Sequence, residues 1–281
     1  MSVNQRTPSP LADLQVATHR DERARAAFVR DLRRCVRDQG ADWIKRDYRD
    51  HVEPKLGKKP SSRDIHAAMR GRDSFRFYSA LRTTSQDMLY QTVQPGIERA
   101  ATKINERVRH LARGRGPGSL SLDATLEIPR SVSAIDIHLM PGSYHTEYGA
   151  DDLTMGAVYE QRLAISTFGV FGPNLDDIGQ SIARFMRLRH PGWRPQRILD
   201  LGCTVGHNTG AWKDVFPAAE VHGIDVGAPV LRYAHARAEA LGATVHFSQQ
   251  NAEGTDFADE SFDLVVSHIV LHETSKSALG R

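Results

Sequence analysis

From Arg197 onward, short apolar segments alternate with helical segments, and this alternation constrains the fold more than any other feature of the chain. The first apolar segment, residues 198–201, is followed by a glycine-containing turn and a helix. Three more strands are predicted, at residues 221–226, 245–247 and 262–271. Because strands that alternate with helices at this spacing form βαβ units, we predict an α/β fold with a doubly wound parallel sheet over residues 197–281.

Residues 1–118 are predicted to form a mostly helical N-terminal domain. Apolar residues between Ile97 and Leu111 recur every three or four positions, as they do on one face of a helix. Ser61 is placed to cap the start of an earlier helix. A run of Gly, Arg and Pro leading to Ser119 marks the end of this domain.

Charge is unevenly distributed along the chain. Residues up to Arg115 carry 25 Lys or Arg against 14 Asp or Glu, whereas the remainder is acidic and the whole chain has a formal net charge of +3. A basic half of this kind can bind an anionic partner such as RNA or a lipid surface. Acidic residues are interleaved with the basic ones, as in Arg30 and Asp31, so we favour the solvated faces of amphipathic helices.

The apolar segments are short, and the longest, residues 264–271, is well below the length needed to cross a bilayer. The N-terminal residues show no secretory signal. Two cysteines, Cys35 and Cys203, do not make a disulfide framework and suit a reducing compartment. We therefore expect a cytoplasmic protein with no membrane partner, and its oligomeric state stays open.

The turn after the first strand is the sequence feature that best indicates a ligand-binding site. Residues 198–206 read ILDLGCTVG, and Asp225 ends the second strand. In doubly wound sheets the ligand binds beyond the carboxyl ends of the strands, where glycines let the backbone approach it and an acidic residue accepts the ribose hydroxyls. A dinucleotide fingerprint needs glycine at two positions that Thr204 and His207 occupy here, so the pyrophosphate cradle is poorly matched.

Four motifs in order resemble class I S-adenosylmethionine-dependent methyltransferases. The turn at 198–206 is similar to the first motif of that family, and Asp225 stands at its ribose position. QNAE at 250–253 resembles the adenine segment GDAE, and FADESFD at 257–263 resembles the FPDGSFD run that enters the fourth strand. The similarity covers about residues 195–281 and is nearest to small-molecule enzymes related to quinone-biosynthesis methyltransferases.

The resemblance implies S-adenosylmethionine as the cofactor, and it implies which residues bind it. Asp200, Gly202 and Gly206 would line its methionine end, and Asp225 would hold the ribose. The full implied set is Asp200, Gly202, Cys203, Gly206, Asp225, Val226, Asn251, Ala252 and Ser267. Thr204 departs from the family by replacing a glycine, and Asn251 by replacing an aspartate, although its carbonyl can still accept from the adenine amino group.

Residues 119–196 are predicted to be a leader segment that contributes a cap over the active site. Alternating apolar residues favour strands at 120–128 and 134–139. In the family, the segment before the first strand often folds over the cofactor. Three tyrosines, Tyr144, Tyr148 and Tyr159, are candidates for closing the pocket.

His268 and His272 are the candidate catalytic residues. Methyl transfer from a sulfonium depends chiefly on in-line positioning, and a base is needed only where the acceptor must lose a proton. If the fourth strand persists, alternation places both imidazoles on one side of it, and either could instead cap a helix or bond a backbone carbonyl. Metal binding by His268, His272 and Glu273 is possible, but their spacing matches no recognised ligand pattern, so no metal site is predicted.

The predicted function is methyl transfer to a small-molecule acceptor. Ser267 and His268 stand where many amino-methylating enzymes of DNA, RNA and glutamine carry an Asn/Asp-Pro-Pro-Tyr/Phe motif. Neither cysteine is placed as the nucleophile of cytosine-C5 methylation. Two alternatives are an RNA methyltransferase with a basic N-terminal docking module, and a non-catalytic protein that binds the cofactor.

The family sheet has seven strands in the order 3-2-1-4-5-7-6, and the sequence ends just after the fourth. We therefore expect a truncated chain in which only strands one to four of the methyltransferase sheet are present. The alternative is that the strand predicted at 120–128 covers the open edge of the fourth strand.

Overall fold

The computed structural model describes residue 11 and residues 14–113, 116–134 and 136–280. The chain divides into two compact units, one over Thr18–Val93 and the other comprising Gln94 onward with the residues before Thr18. The division falls inside a long helix, beside Pro95, which has no N–H to donate to an intrahelical hydrogen bond. The domain limits predicted at residues 118 and 196 remain predictions.

The unit over Thr18–Val93 is built from helices, as its apolar spacing predicts. Its helices are α1 (Arg20–Cys35), α2 (Ala41–Asp47), α3 (Ser62–Met69) and the first part of α4 (Asp73–Arg113), with π-helical turns at Val36–Gly40 and Tyr48–Val52 and a 3₁₀ turn at Glu53–Lys55. The predicted cap of α3 is confirmed, because Ser61 Oγ accepts from the Asp64 N–H and the Asp64 carboxylate accepts from the Ser61 N–H.

The other unit holds the α/β part of the chain. Its elements after α4 are β1 (Ser119–Ser121), α5 (Arg130–Ser133), α6 (Thr154–Ser166), α7 (Asp177–Arg189), β2 (Arg197–Leu201), α8 (His207–Val215), β3 (Glu220–Asp225), α9 (Ala228–Ala240), β4 (His246–Gln249), β5 (Leu264–Ser267) and a 3₁₀ turn at Ala278–Gly280.

The sheet is parallel throughout and has the order β1-β4-β3-β2-β5. Ile198 in β2 stands opposite Val221 in β3 on one side and Leu264 in β5 on the other. Because β2 and β3 are central, their carboxyl ends with Asp200 and Asp225 lie side by side at one edge of the sheet. The four strands predicted from 197 onward are therefore confirmed, in the order 3-2-1-4.

Three strand predictions need correction. The strand predicted at 120–128 is much shorter and forms only at Ser119–Ser121, since Asp123 turns the chain by accepting from the Thr125 N–H at 2.8 Å. This strand pairs with β4, at the opposite edge from β5, so it does not cover the edge of β5. Among the described residues of 134–139 there is no strand, and Asp136 there starts a turn by accepting from the His138 N–H. The fourth strand ends at Ser267 rather than at 271.

The core lies between the sheet and the helices α8 and α9. Trp212 is fully buried and its ring stacks on that of Phe216, with ring centroids 6.1 Å apart. Phe247 from β4 fills the space beneath the turn after β2. Helix α7 packs on α8, and α6 packs on α9. These contacts fix the turn and the two central strand ends relative to the leader segment.

The contact between α6 and α9 gives a test of this packing. A Cβ added at Gly156 in α6 would lie 2.3 Å from Tyr233 Cβ in α9, whereas a Cβ at Gly210 in α8 would meet nothing within 4 Å. We expect Gly156→Ala to lower the free energy of unfolding by about 1–3 kcal/mol through overpacking. Gly210→Ala should raise it by about 0.5–1 kcal/mol, because alanine favours the helix. Urea denaturation of both variants measures the two effects, and a shift of the same sign in both would contradict the packing.

Candidate active site

The turn between β2 and α8 shapes one wall of a cavity of about 250 Å³ at the carboxyl edge of the sheet. Gly202 and Gly206 adopt positive φ angles of 66° and 74°, which glycine takes at little cost. Thr204 also has a positive φ, 45°, and its N–H donates to the Asp225 carboxylate at 3.0 Å. The threonine that departs from the family pattern is therefore accommodated in the turn and links it to the end of β3.

Asp225 is buried at the end of β3 and lines the cavity. One of its oxygens accepts from the Thr204 N–H and the other from the Gly227 N–H at 2.9 Å. Burial raises the pKa of Asp225, and the two backbone donors partly offset this rise. Each oxygen keeps a lone pair, so the carboxylate can accept further hydrogen bonds from a ligand.

Asp200 is the second buried carboxylate, at the end of β2. It accepts from the Thr209 hydroxyl at 2.7 Å. Burial raises the pKa of Asp200 to about 7, and the nearby Asp225 contributes to the rise. The cavity thus has two adjacent carboxyl groups at its floor, both 7% exposed or less.

The loop after β4 carries the predicted adenine segment. Asn251 and Ala252 line the cavity together with Val226. The Asn251 side-chain oxygen accepts from the Glu253 N–H at 3.0 Å, which fixes the loop and keeps a second lone pair on that oxygen. Cys203 is a free, buried thiol whose pKa is raised by burial, so it is inert in this setting.

The structure brings most of the predicted site residues to this cavity. Those that line it are Asp200, Gly202, Cys203, Asp225, Val226, Asn251, Ala252, His268 and His272. Gly206 and Ser267 do not line it. Gly206 stands at the start of α8, and Ser267 pairs with Leu201 in the sheet.

The leader segment supplies the opposite wall. Tyr144 and Tyr159, two of the three tyrosines proposed to close the pocket, line the cavity with ring centroids 5.9 Å apart. Tyr159 also stacks on His207 of α8, which sequence reasoning did not select. Tyr148 is 61% exposed and lies outside the cavity lining, so that part of the prediction was wrong.

Behind this wall lies a buried charge network. Glu160 in α6 is close to Arg237 at 3.6 Å and to His207 at 3.7 Å. Burial alone would raise the pKa of Glu160, but these partners lower it to about 2. Glu160 therefore stays ionised and helps to hold His207 at the edge of the cavity.

The two candidate catalytic histidines both line the cavity, but not for the reason predicted. The strand ends at Ser267, and Ile269 has a φ of 57°, so the alternation that was expected to align the two imidazoles does not hold. His268 Nε2 accepts from the Trp212 Nε1–H at 2.9 Å. Since indole only donates, the neutral His268 ring must carry its proton on Nδ1. Burial lowers the pKa of His268, which also favours the neutral ring.

His272 belongs to a separate polar cluster that sequence reasoning did not assemble. Its Nε2 lies 3.0 Å from His138 Nε2, and His138 Nε2 lies 2.8 Å from Glu273 Oε1. Tyr144 donates its hydroxyl to the same Glu273 oxygen at 3.1 Å. Burial alone would raise the pKa of Glu273, but the hydrogen bonds from His138 and Tyr144 lower it overall. Leader residues 138–145 stand out in the sequence by their His and Tyr content, and that was the available signal.

A parallel sheet with a glycine turn and buried carboxyl groups at its central strand ends is the arrangement in which other α/β domains bind ribose-containing ligands. Residues 198–281 match the family model described as a methyltransferase domain. This segment is therefore similar to methyltransferase domains, and methyltransferases are also among the curated proteins that it resembles.

Curated relatives agree with the family match. Malonyl–acyl-carrier-protein O-methyltransferase of Methylococcus capsulatus is 34% identical over 33% of this chain and 33% of its own length. Demethylmenaquinone methyltransferase of Thermus thermophilus is 41% identical over 25% of this chain and 32% of its own. Phosphoethanolamine N-methyltransferase 1 of Arabidopsis thaliana is 32% identical over 31% of this chain and 18% of its own. The chain spans about a third or less of the length of these relatives.

No helix in the described part of the chain combines the length and the apolar character that a bilayer crossing requires.

Proposed function

We propose that this chain transfers the methyl group of S-adenosylmethionine to a small-molecule acceptor by in-line displacement. The observation that supports this most is a single cavity that joins the predicted cofactor residues at the strand ends to polar side chains of the leader segment. S-adenosylmethionine, when bound, supplies a methyl group already activated on a sulfonium. The protein then has to orient the acceptor and exclude water.

The residues at the strand ends fit this cofactor. Asp225 has a lone pair left on each oxygen for ribose hydroxyls, and Asp200 has acceptor capacity beyond its bond from Thr209. Carboxylates of this kind accept hydrogen bonds from the hydroxyl and ammonium groups of S-adenosylmethionine. A pyrophosphate close to the Asp200 carboxylate would be repelled. Asp225 would suit the ribose of either ligand. The turn, with Thr204 and His207 at two positions where a dinucleotide fingerprint has glycine, favours S-adenosylmethionine over a dinucleotide.

An acceptor that carries a proton must lose it during transfer. His268 cannot take that proton at Nε2, because this atom already accepts from Trp212. We assign His268 to positioning, with its Nδ1–H as a donor, and we place the handling of the acceptor's proton at His272 with His138 and Glu273.

A small-molecule acceptor is favoured over RNA by the ion pairs of the basic N-terminal unit. Many of its cations are already paired with carboxylates, which weakens any positive field that could attract a polyanion. The pairs include Arg25 with Asp21, Arg34 with Asp31, Arg37 with Asp38, and Arg72 with Asp47. The acceptors named for the relatives are malonyl-[acyl-carrier protein], demethylmenaquinone and phosphoethanolamine, and none of them is a nucleic acid. The free thiols of Cys35 and Cys203 fit the proposed cytoplasmic location.

Incubation with methyl-labelled S-adenosylmethionine and a fractionated cell extract tests the proposal. We expect label in the small-molecule fraction, and none when Asp225→Ala replaces the wild-type chain. Label in the RNA fraction would instead support an RNA methyltransferase. Cofactor binding by calorimetry without any labelled product would contradict catalysis and leave a cofactor-binding protein.

A further inference from the structure

We infer that His138, His272 and Glu273 form a binding site for one divalent transition-metal ion, such as Zn²⁺, in the wall of the cavity. The three side chains converge from two distant parts of the chain, the leader segment and the loop after β5. His138 Nε2 lies 3.0 Å from His272 Nε2 and 2.8 Å from Glu273 Oε1, and the third side of this triangle measures 3.5 Å.

The size of this triangle matches a metal site. Ligand atoms at about 2.0–2.1 Å from a tetrahedral Zn²⁺ lie about 3.3 Å from one another, and the three observed distances scatter around that value. An ion at this distance from all three atoms would stand about 1 Å out of their plane. Its remaining position would stay open, as in catalytic zinc sites with two histidines and one glutamate.

Hydrogen bonding alone uses this cluster poorly. His138 Nε2 is within hydrogen-bond distance of both other atoms, but a neutral imidazole has at most one hydrogen at that nitrogen. Lone pairs of His272 and Glu273 therefore compete for one hydrogen. A metal ion would accept a lone pair from all three atoms at once.

Neighbouring groups hold the candidate ligands in place, as outer-shell residues do at metal sites. Tyr144 donates to Glu273 Oε1, and the Asp136 carboxylate accepts from the His138 backbone N–H at 2.7 Å. The other oxygen of Asp136 is buried and has no hydrogen-bond partner in the described part of the chain.

The donor set also selects the kind of ion. Two imidazoles with one carboxylate suit Zn²⁺ and similar transition metals, whereas Mg²⁺ and Ca²⁺ prefer oxygen ligands alone. The His272 side chain is 42% exposed, so an ion can enter from the cavity. If the proposed methyl transfer holds, on which this last step rests, the cluster would handle the acceptor's proton through the ion rather than through an imidazole base. The open position would bind an acceptor oxygen and lower its pKa, and the proton would leave to water.

Titration of the chelator-treated chain with Zn²⁺ by calorimetry tests the site directly. We expect one ion per chain, and Co²⁺ should give the visible absorption of a tetrahedral site. His272→Ala and Glu273→Gln should each weaken Zn²⁺ binding at least about tenfold. His190→Ala, at an exposed histidine outside the cavity, should leave it unchanged.

Circular dichroism checks that each variant folds, and His138→Gln on the leader segment replaces any variant that does not. Absence of a stoichiometric ion, or Zn²⁺ affinity unchanged in the cluster variants, would overturn the inference. Asp225→Ala separates the two proposals, because it should weaken cofactor binding about 100-fold while keeping the ion. Methyl transfer without metal binding would therefore reject only the metal site, and metal binding without methyl transfer would reject only the proposed activity.

Discussion

Replacing Asp200 by Asn is expected to stabilise the chain at neutral and higher pH, by up to about 4 kcal/mol, in the absence of cofactor. Burial raises the pKa of Asp200 to about 7 in the folded chain, against about 3.9 for an exposed aspartate. Below pH 4 the carboxyl is protonated in both states and the variant gains little. Between pH 4 and 7 the unfolded chain ionises first, so the wild type loses stability as pH rises, and asparagine does not.

The measurement is the free energy of unfolding of both proteins in urea over a pH range of about 2 to 8, which includes the pKa of an exposed aspartate. Asn can still accept from Thr209, so the difference between the two curves reports on the charge. Asp263→Asn is a control in which the change in the free energy of unfolding is expected to have the opposite sign. Backbone hydrogen bonds from Arg197 and Gln196 lower the pKa of Asp263, so that variant should lose stability above the unfolded pKa and recover as pH falls. A gain at Asp200 that does not vary with pH would reject the argument.

Asp225→Ala is expected to weaken S-adenosylmethionine binding about 100-fold. Two hydrogen bonds from ribose hydroxyls to a buried carboxylate are together sufficient for such a loss, at about 1.5–3 kcal/mol for each bond to a charged group. The change also removes the acceptor of the Thr204 and Gly227 N–H groups, which loosens the turn. Isothermal titration calorimetry measures the affinity.

The matched control for this variant is Asp263→Ala. Asp263 likewise accepts two backbone N–H groups, from Gln196 and Arg197, but it does not line the cavity. Its removal should cost stability without changing cofactor affinity. Equal losses of affinity in the two variants would show that the effect at Asp225 is general destabilisation.

The sheet could be predicted from the sequence because each strand is indicated by a short run of neighbouring residues. Buried strands such as β2 appear as short apolar runs, and each is bounded by a turn or by a helix with apolar spacing. The positions of Asp200 and Asp225 follow from this, since residues that end adjacent parallel strands share one edge. The order of the four strands also followed from the resemblance of their motifs to one family.

The end of β5 shows where a local signal fails. Apolar residues continue past Ser267 to Leu271, so composition alone extends the strand. In the structure Ile269 takes a positive φ and the residue is 62% exposed. The chain turns there toward the leader segment, and no pattern within ten residues specifies that contact.

The polar cluster of the cavity wall depends even more than the end of β5 on contacts between residues that are far apart in the sequence. His138 and His272 are 134 positions apart, and Trp212 bonds His268 across 56 positions. A single sequence identifies these residues as polar and placed near motifs, but it does not pair them. Only the packing of the leader segment over the strand ends brings the ligand atoms within 3.5 Å of one another.

The pairing of β1 with β4 has a consequence for how the chain is made. Ser119 Oγ meets His246 Nδ1 at 2.9 Å across 127 positions of sequence. The chain leaves the ribosome N-terminus first, so more than a hundred further residues must be synthesised before β1 can pair with β4. Contacts of such high sequence separation slow folding. The start of the leader segment therefore reaches its place in the sheet only after β4 has left the ribosome.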